Sequence, residues 1–505
     1  MMKKYLGKSS RLFFSLVVTS STVIFSSTIA QALNFNFTYG EDTTLEQRLG
    51  FEMAGKIWSS YLTDDMSVEI HVEMTDLLPE NVIGGALPGI DARQHIGNVY
   101  NKLEKDRNSH DDYVAVDNMN LYHNDRRYRV VADNYEVNHN QYINLTRANS
   151  KALGMLNSNN DALDGYILMS NLTAESVDWN YDFLGNSVPS DTLDYLSVAL
   201  HEIGHVLGFV SGVDDPNWLY KLSEVQQIQS TKGQTGINDP QRNGNYDQLT
   251  ADEIYITMLD LFRFSPESTS FTENNNDLSV GGEKYFSIDG GDTVLAHFST
   301  GQDTSLGGDG YQASHWKQQS NPLGIMDPTL GLGEKGTISE LDLQAFDVIG
   351  YDRQPGAVNL DLLSIFTQTK QELAYELGIW VGYIDWMLDG ATDNWLDDLI
   401  AQALADSNQD RTQDVIDMIE ASEVYEWTWG DGDDDGCDPN TQNCGSSQVL
   451  AQILTNEGLF SQSYWSTLDI ESEPVEVSES SGMTGLVGLG LLSLAGLVRG
   501  KSSKK

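Results

Sequence analysis

The sequence predicts an α+β protein, a mixed twisted sheet packed on helices, followed by a small acidic α-helical domain. Up to about residue 353, segments with helical and strand periodicity interleave, whereas beyond Gln354 only helical periodicity persists. The first helix is read in "EQRLGFEMAGKIWSSYL", where Leu49, Met53, Ile57, Trp58 and Tyr61 recur at helical spacing. "SVEIHVEM" then alternates as a strand. "DALDGYILMSN" sets Tyr166, Ile167, Leu168 and Met169 between turn residues, a strand ahead of a helix that begins near Asp191, with Asp191 or Thr192 as its cap. That strand reads either as an edge open to an extended peptide or as an interior strand. Segments near 230–250 and 265–285, rich in Asn, Gly and acid, read as surface insertions. "TISELDLQAFDVIGYD" is a helix with Ser339 as cap and Asp342 three residues on. Pro355 and Gly356 mark a linker, after which "NLDLLSIFTQTKQELAYELGIWVGYIDWMLDG" and "DNWLDDLIAQALADS" form the helical domain, about 356–470.

The chain has 505 residues, 75 of them acidic and 29 basic, for a formal net charge of −46. That balance argues against binding nucleic acid or an anionic membrane through a basic face, and is compatible with cation capture or simply with solubility. Residues 1–32 carry Lys3, Lys4, Lys8 and Arg11, then an apolar run from Leu12 to Ile29, then Ala30-Gln31-Ala32. The order is that of a secretory signal, with an uncleaved anchor as the alternative; either takes the rest of the chain out of the cytoplasm. Residues 482–505 are a Gly- and Leu-rich run to Val498 capped by Arg499, Lys501, Lys504 and Lys505, just long enough to cross a bilayer and so an expected membrane contact. Cys437 and Cys444 are the only cysteines, and in an exported chain they are expected to form one local disulfide.

Chemistry is concentrated in "DTLDYLSVALHEIGHVLGFVSGVDD". On a helix, His201 and His205 lie almost above one another and can point two imidazoles at one ion, leaving Glu202 to act on water. Leu196, Ala199, Leu200, Ile203, Val206 and Leu207 supply an apolar surface for packing. A metal needs a third ligand. Asp214 and Asp215 follow closely but read more simply as loop acids or a calcium contact, Glu224 arrives from the next helical stretch, His297 stands beside apolar residues, and His315 lies in "GYQASHWKQQSNPLGIMDPTLG".

"HEIGHVLGF" resembles the zincin metalloproteases of the metzincin type, in which a glycine, here Gly208, ends the helix and turns the chain beneath the metal. The short form of that pattern expects a ligand where Ser211 stands. A long insertion, then Ser314, His315 and Trp316, then "GIMDP", is similar instead to the leishmanolysin-like branch. The resemblance implies a zincin catalytic domain over 33–353, zinc held by His201, His205 and His315, Glu202 as general base, and Met326 in a methionine turn under the site. It implies a secreted or surface-held zinc endopeptidase acting on a protein or peptide substrate. The tail resembles the PEP-CTERM sorting segment, whose Pro-Glu-Pro signature is replaced here by "ESEPVEVSESSG".

A second cation is suggested by Asp431, Asp433 and Asp435 followed by Gly436, the D-x-D-x-D-G spacing that wraps carboxylates around calcium, although the twelfth position is Gln442. The other reading is a solvated acidic loop. A calcium-dependent surface or matrix-binding protein on a zincin scaffold is therefore the alternative to the protease, and the intact Glu202 separates them, because a scaffold needs no general base.

Overall fold

The computed structural model describes residues 33–214 and 256–421, apart from positions 77, 79–80, 120, 122–125, 133–134, 173–176, 271–274, 357 and 392, together with the strand Tyr464–Asp469. The two expected end segments, 1–32 and 482–505, lie outside these residues. Among the described residues, no helix is long and apolar enough to cross a membrane. The class is α+β, as the periodicity predicts.

The main sheet contains β1 (Asn34–Tyr39), β2 (Ser67–Thr75), β3 (Val82–Pro88), β4 (Gly165–Ser170), β5 (Thr329–Gly331) and β6 (Tyr464–Asp469), in the order β1-β2-β4-β3-β6-β5. β1, β2 and β4 run parallel, and β3 turns back antiparallel along β4. The strand "GYILMS" is therefore interior, its first five residues buried, and it is β3 that lies outside it. An almost unbroken apolar run suits a strand covered on both faces.

Helix α1 (Leu45–Tyr61) starts at a reciprocal capping box between Thr44 and Gln47, an arrangement worth about 1 kcal/mol. It lies against β1 and against α5 (Tyr195–Leu207), with Trp58 fully buried and donating its indole N–H to the Leu200 carbonyl at 3.0 Å. Between β3 and β4 the chain forms α2 (Ile96–Asp106), α3 (His110–Asn118) and α4 (Arg147–Ala152). α6 (Glu340–Val348) follows β5, its N-terminus held by the Ser339–Asp342 box that the sequence indicates.

The helical stretch comprises α7 (Leu362–Glu376), α8 (Val381–Leu388), α9 (Asn394–Ser407) and α10 (Thr412–Ala421). α7 packs on α1, where Lys56 pairs with Glu372, and Leu373, Ile384 and Leu396 join the main core. Arg48 of α1 has no exposed surface; its guanidinium donates to Ser407 Oγ at 2.7 Å, to the Leu404 carbonyl at 3.2 Å and to Asn408. A buried guanidinium is tolerated because three groups at the C-terminal end of α9 accept from it, near the negative end of the helix dipole. α10 places Val415, Ile416 and Ile419 against Leu87, Tyr166 and Leu168. Described residues through Leu468 form one compact unit.

Of the expected surface insertion near 265–285, the part from Asn275 to Val280 is buried instead. Asp277 there accepts from Ser279 and from Ser265 and pairs with Lys284 at 3.6 Å. Polar sequence is compatible with burial when its donors and acceptors satisfy one another.

Several carboxyls in the fold have their pKa raised by burial and by neighbouring carboxylates. Burial, with Asp352 and Asp106 nearby, pushes Asp64 up to about 8; burial and Glu376 push Glu52 to about 7, and burial and Asp352 push Asp106 to about 7. Each folded-state pKa lies above its unfolded value, so the folded chain keeps protons that the unfolded chain has released, and the associated stability is lost as pH rises through about 7–8. Thermal unfolding at constant ionic strength is expected to show a melting temperature that falls between pH 6.5 and 9; a rise over that window would refute the assignment.

Candidate metal centre

Helix α5 is held firmly at both ends, which fixes the directions of His201 and His205. Asp194 caps it, accepting from Ser197 N at 3.1 Å and Ser197 Oγ at 2.5 Å. The cap is three residues later than Asp191 because Thr192–Asp194 first pairs as a short parallel strand with Asp178–Asn180. The helix ends at Gly208, whose φ of 122° lies where a side chain is strained, and the chain then turns so that the Phe209 carbonyl faces back toward His205.

His201 and His205 are buried on one face of α5, and the structure brings His315 to them from 110 residues beyond His205. The three Nε2 atoms are 3.0, 3.2 and 3.2 Å apart. Each Nδ1 faces a backbone carbonyl: His201 that of Ile325 at 2.7 Å, His205 that of Phe209 at 2.7 Å, and His315 that of Gln312 at 3.2 Å. A neutral imidazole has one N–H; donated through Nδ1, it leaves Nε2 with a lone pair. Three lone pairs then converge on one point, an arrangement that repels itself unless a cation occupies the centre. Nitrogen ligands of a four-coordinate zinc are about 3.3 Å apart, given bonds of about 2.0–2.1 Å, so the observed spacing fits a small metal ion closely.

Electrostatics agree. Burial lowers His201 to about 4 and takes His205 and His315 well below the ordinary imidazole value, with His201 adding to the depression of both and His315 to that of His205. All three are therefore neutral near pH 7, the form in which imidazole binds a metal. The cluster His201, His205 and His315 could hold a metal ion, and it is the one such group among the described residues.

The third histidine arrives because the segment around it is fastened at each residue. Ser314 Oγ accepts from Ser211 N at 2.9 Å, so the position at which the short pattern would place a ligand instead ties down the neighbour of His315. Trp316 has no exposed surface; its ring stacks on Phe298 at 5.0 Å and meets Phe209 edge-on at 4.9 Å. Asp214 is a strut rather than a ligand, accepting from Gln302 N at 2.9 Å and Ala313 N at 2.5 Å. His297 is partly exposed, lies 3.7 Å from Glu283 and does not join the cluster. Asp215, Glu224, Asp431, Asp433, Asp435, Cys437 and Cys444 fall outside the described residues.

Met326 is buried against α5: a Cβ built on Gly204 would lie 2.4 Å from its sulfur, so only glycine lets the turn come this close between the two histidines. Glu202, also buried, lies under β3, where a Cβ on Gly84 would meet its Oε1 at 2.8 Å. The carboxylate thus sits one residue from His201, in space left by a missing side chain.

One positioning residue exceeds its sequence reading. Asp342 was legible as the second half of a helix cap; in the fold its buried carboxylate also accepts from Trp316 Nε1 at 2.8 Å, Ile325 N at 2.8 Å and Met326 N at 3.3 Å. It therefore joins the His315 segment to the turn whose carbonyl orients His201. The clue was present in a capping acid followed by strongly apolar residues, but its remote partners carry no local signal. We find no match to this chain among models of protein families, curated proteins or solved structures.

Replacing Asp342 with Asn would turn an amide N–H₂ toward two of these donors. Urea unfolding is expected to show a loss of about 2–4 kcal/mol, since buried hydrogen bonds to a charged group are each worth about 1.5–3 kcal/mol, together with weaker metal binding by calorimetry. Unchanged metal affinity would remove Asp342 from the support of the site. His315→Ala should reduce bound metal per chain to a small fraction of the wild-type value, measured by atomic absorption after dialysis.

Proposed function

We propose that the chain is a zinc-dependent endopeptidase of the zincin class, similar to the leishmanolysin-like metzincins. The observation that carries this reading is the convergence of three metal-ready imidazole nitrogens next to a buried glutamate on the same helix. Further support comes from the mixed sheet above that helix, from Met326 packed beneath it, and from the glycine exit at Gly208.

His201, His205 and His315 would hold the ion through Nε2. Zinc with three protein ligands supplies a Lewis acid that polarises a peptide carbonyl and brings the acidity of water near neutrality. Glu202 accepts a proton from the attacking water on its carboxylate and delivers it to the departing amide nitrogen, so the carboxylate ends each cycle as it began. Carbonyls of Ile325, Phe209 and Gln312 keep the rings in the tautomer that leaves Nε2 available. The depth of the cluster limits competing water. The leader-like and tail-like ends of the sequence support an exported, surface-held setting, with peptides or proteins outside the cytoplasm as substrates.

Glu202→Gln preserves size and removes the base. The zinc-loaded variant is expected to retain one metal per chain while casein hydrolysis falls by at least about a hundredfold, the scale of a lost general base. Cleavage at the wild-type rate by the Glu202→Gln chain would eliminate this mechanism. Loss of metal together with activity would instead assign Glu202 to the metal's support.

A further inference from the structure

Strand β3 has two neighbours. On one side it pairs with β4; on the other it pairs antiparallel with β6, from the distant C-terminal part of the chain, in the register Tyr464 opposite Ala86, Trp465 opposite Gly85 and Ser466 opposite Gly84. Gly84 is the residue that lies over Glu202. β6 is also hydrogen-bonded along its other side to β5. That strand follows the turn carrying Met326, and its Thr329 and Leu330 line a small hollow together with Val198, His201 and Ile325. The strand Tyr464–Asp469 therefore runs between a rim that covers Glu202 and a rim that borders His201.

Neighbouring strands in a sheet are about 4.8 Å apart, so β3 and β5, with one strand between them, bound a slot roughly 9.6 Å across. Such a slot recognises an extended backbone, with donors and acceptors on both sides, and accepts one chain at a time. We propose that β6 is an internal, substrate-like occupant of the peptide cleft, which keeps the enzyme latent until this strand is displaced or removed. The proposal rests on the peptidase reading for the word "substrate", but the occupancy stands on the strand pairing alone. A tethered segment competes at an effective concentration of up to about a millimolar, so one whose own dissociation constant is about 0.1 mM weakens binding of a free peptide by about tenfold.

The test uses the full chain loaded with zinc. Trp465→Pro combined with Ser466→Pro removes backbone donors at two successive residues, one facing each neighbouring strand, whichever way the pairing alternates. Trp465→Gly with Ser466→Gly weakens the strand more gently and decides the matter if the proline pair loses its metal or its circular dichroism signal. The probe is a fluorescein-labelled peptide of residues 462–470, titrated by anisotropy in a Glu202→Gln background so that it is not consumed. Expected are an affinity at least about tenfold higher in the strand-broken chain than in the unbroken one, and, with Glu202 intact, a casein turnover raised by a similar factor. Equal peptide affinity in all three chains would overturn the proposal whatever the turnover. Tighter peptide binding with no hydrolysis by any chain would uphold the occupancy and reject the peptidase.

Discussion

Three imidazoles can point their bare nitrogens at one another only because each has already committed its single proton elsewhere. The carbonyls of Ile325, Phe209 and Gln312 take those protons, and each carbonyl belongs to a segment that is itself held in place. Phe209 follows the Gly208 turn, Ile325 lies in the turn tied down by Asp342, and Gln312 precedes the Ser314-His315-Trp316 fastening. The convergence of lone pairs is unfavourable in isolation and is imposed by the surrounding backbone. A metal ion bound there would relieve it, and the cost of assembling the cluster would then become affinity for the ion.

The rest of the architecture serves that constraint. α5 is clamped by Trp58 from α1 and approached by β3 and by Met326 at the two glycines where helix and neighbours are closest. Asp342 couples the turn under His201 to the segment bearing His315, so two ligands that share no stretch of chain respond to one carboxylate. The same economy places the helical stretch: Arg48 is drawn out of water by three acceptors at the end of α9, and α7 rests on α1. In this acidic chain, burial and neighbouring carboxylates raise the pKa of carboxyls such as Asp64, which links the fold to pH independently of the histidine cluster.

What could be read from residue order alone follows the range of each interaction. His201, Glu202 and His205 were legible because a helical repeat relates them within one turn. Gly208 was legible because backbone handedness is a property of a single residue. The box at Ser339 and Asp342 was likewise local. "GYILMS" as a strand was readable, yet its place was not, since an apolar run is common to buried edges and interiors. "VIGGALP", which became β3, has two glycines that weaken any strand pattern; the role of Gly84 emerges only when Glu202 is seen in the space it leaves. Asn275 to Val280 misled because composition reports polarity but not whether the polar groups meet one another.

The sequence by itself determined the helix that carries His201, Glu202 and His205, its glycine exit, and the alternation of strands and helices around it, all consequences of periodicity and of residues within a few positions. Only the tertiary structure brings His315 within about 3.2 Å of the other two imidazoles, ties Asp342 to the segments that flank it, and lays a C-terminal strand beside Gly84. Those outcomes depend on contacts between segments far apart in the chain, where the closing of loops and the packing of faces, not local preference, selects the neighbour.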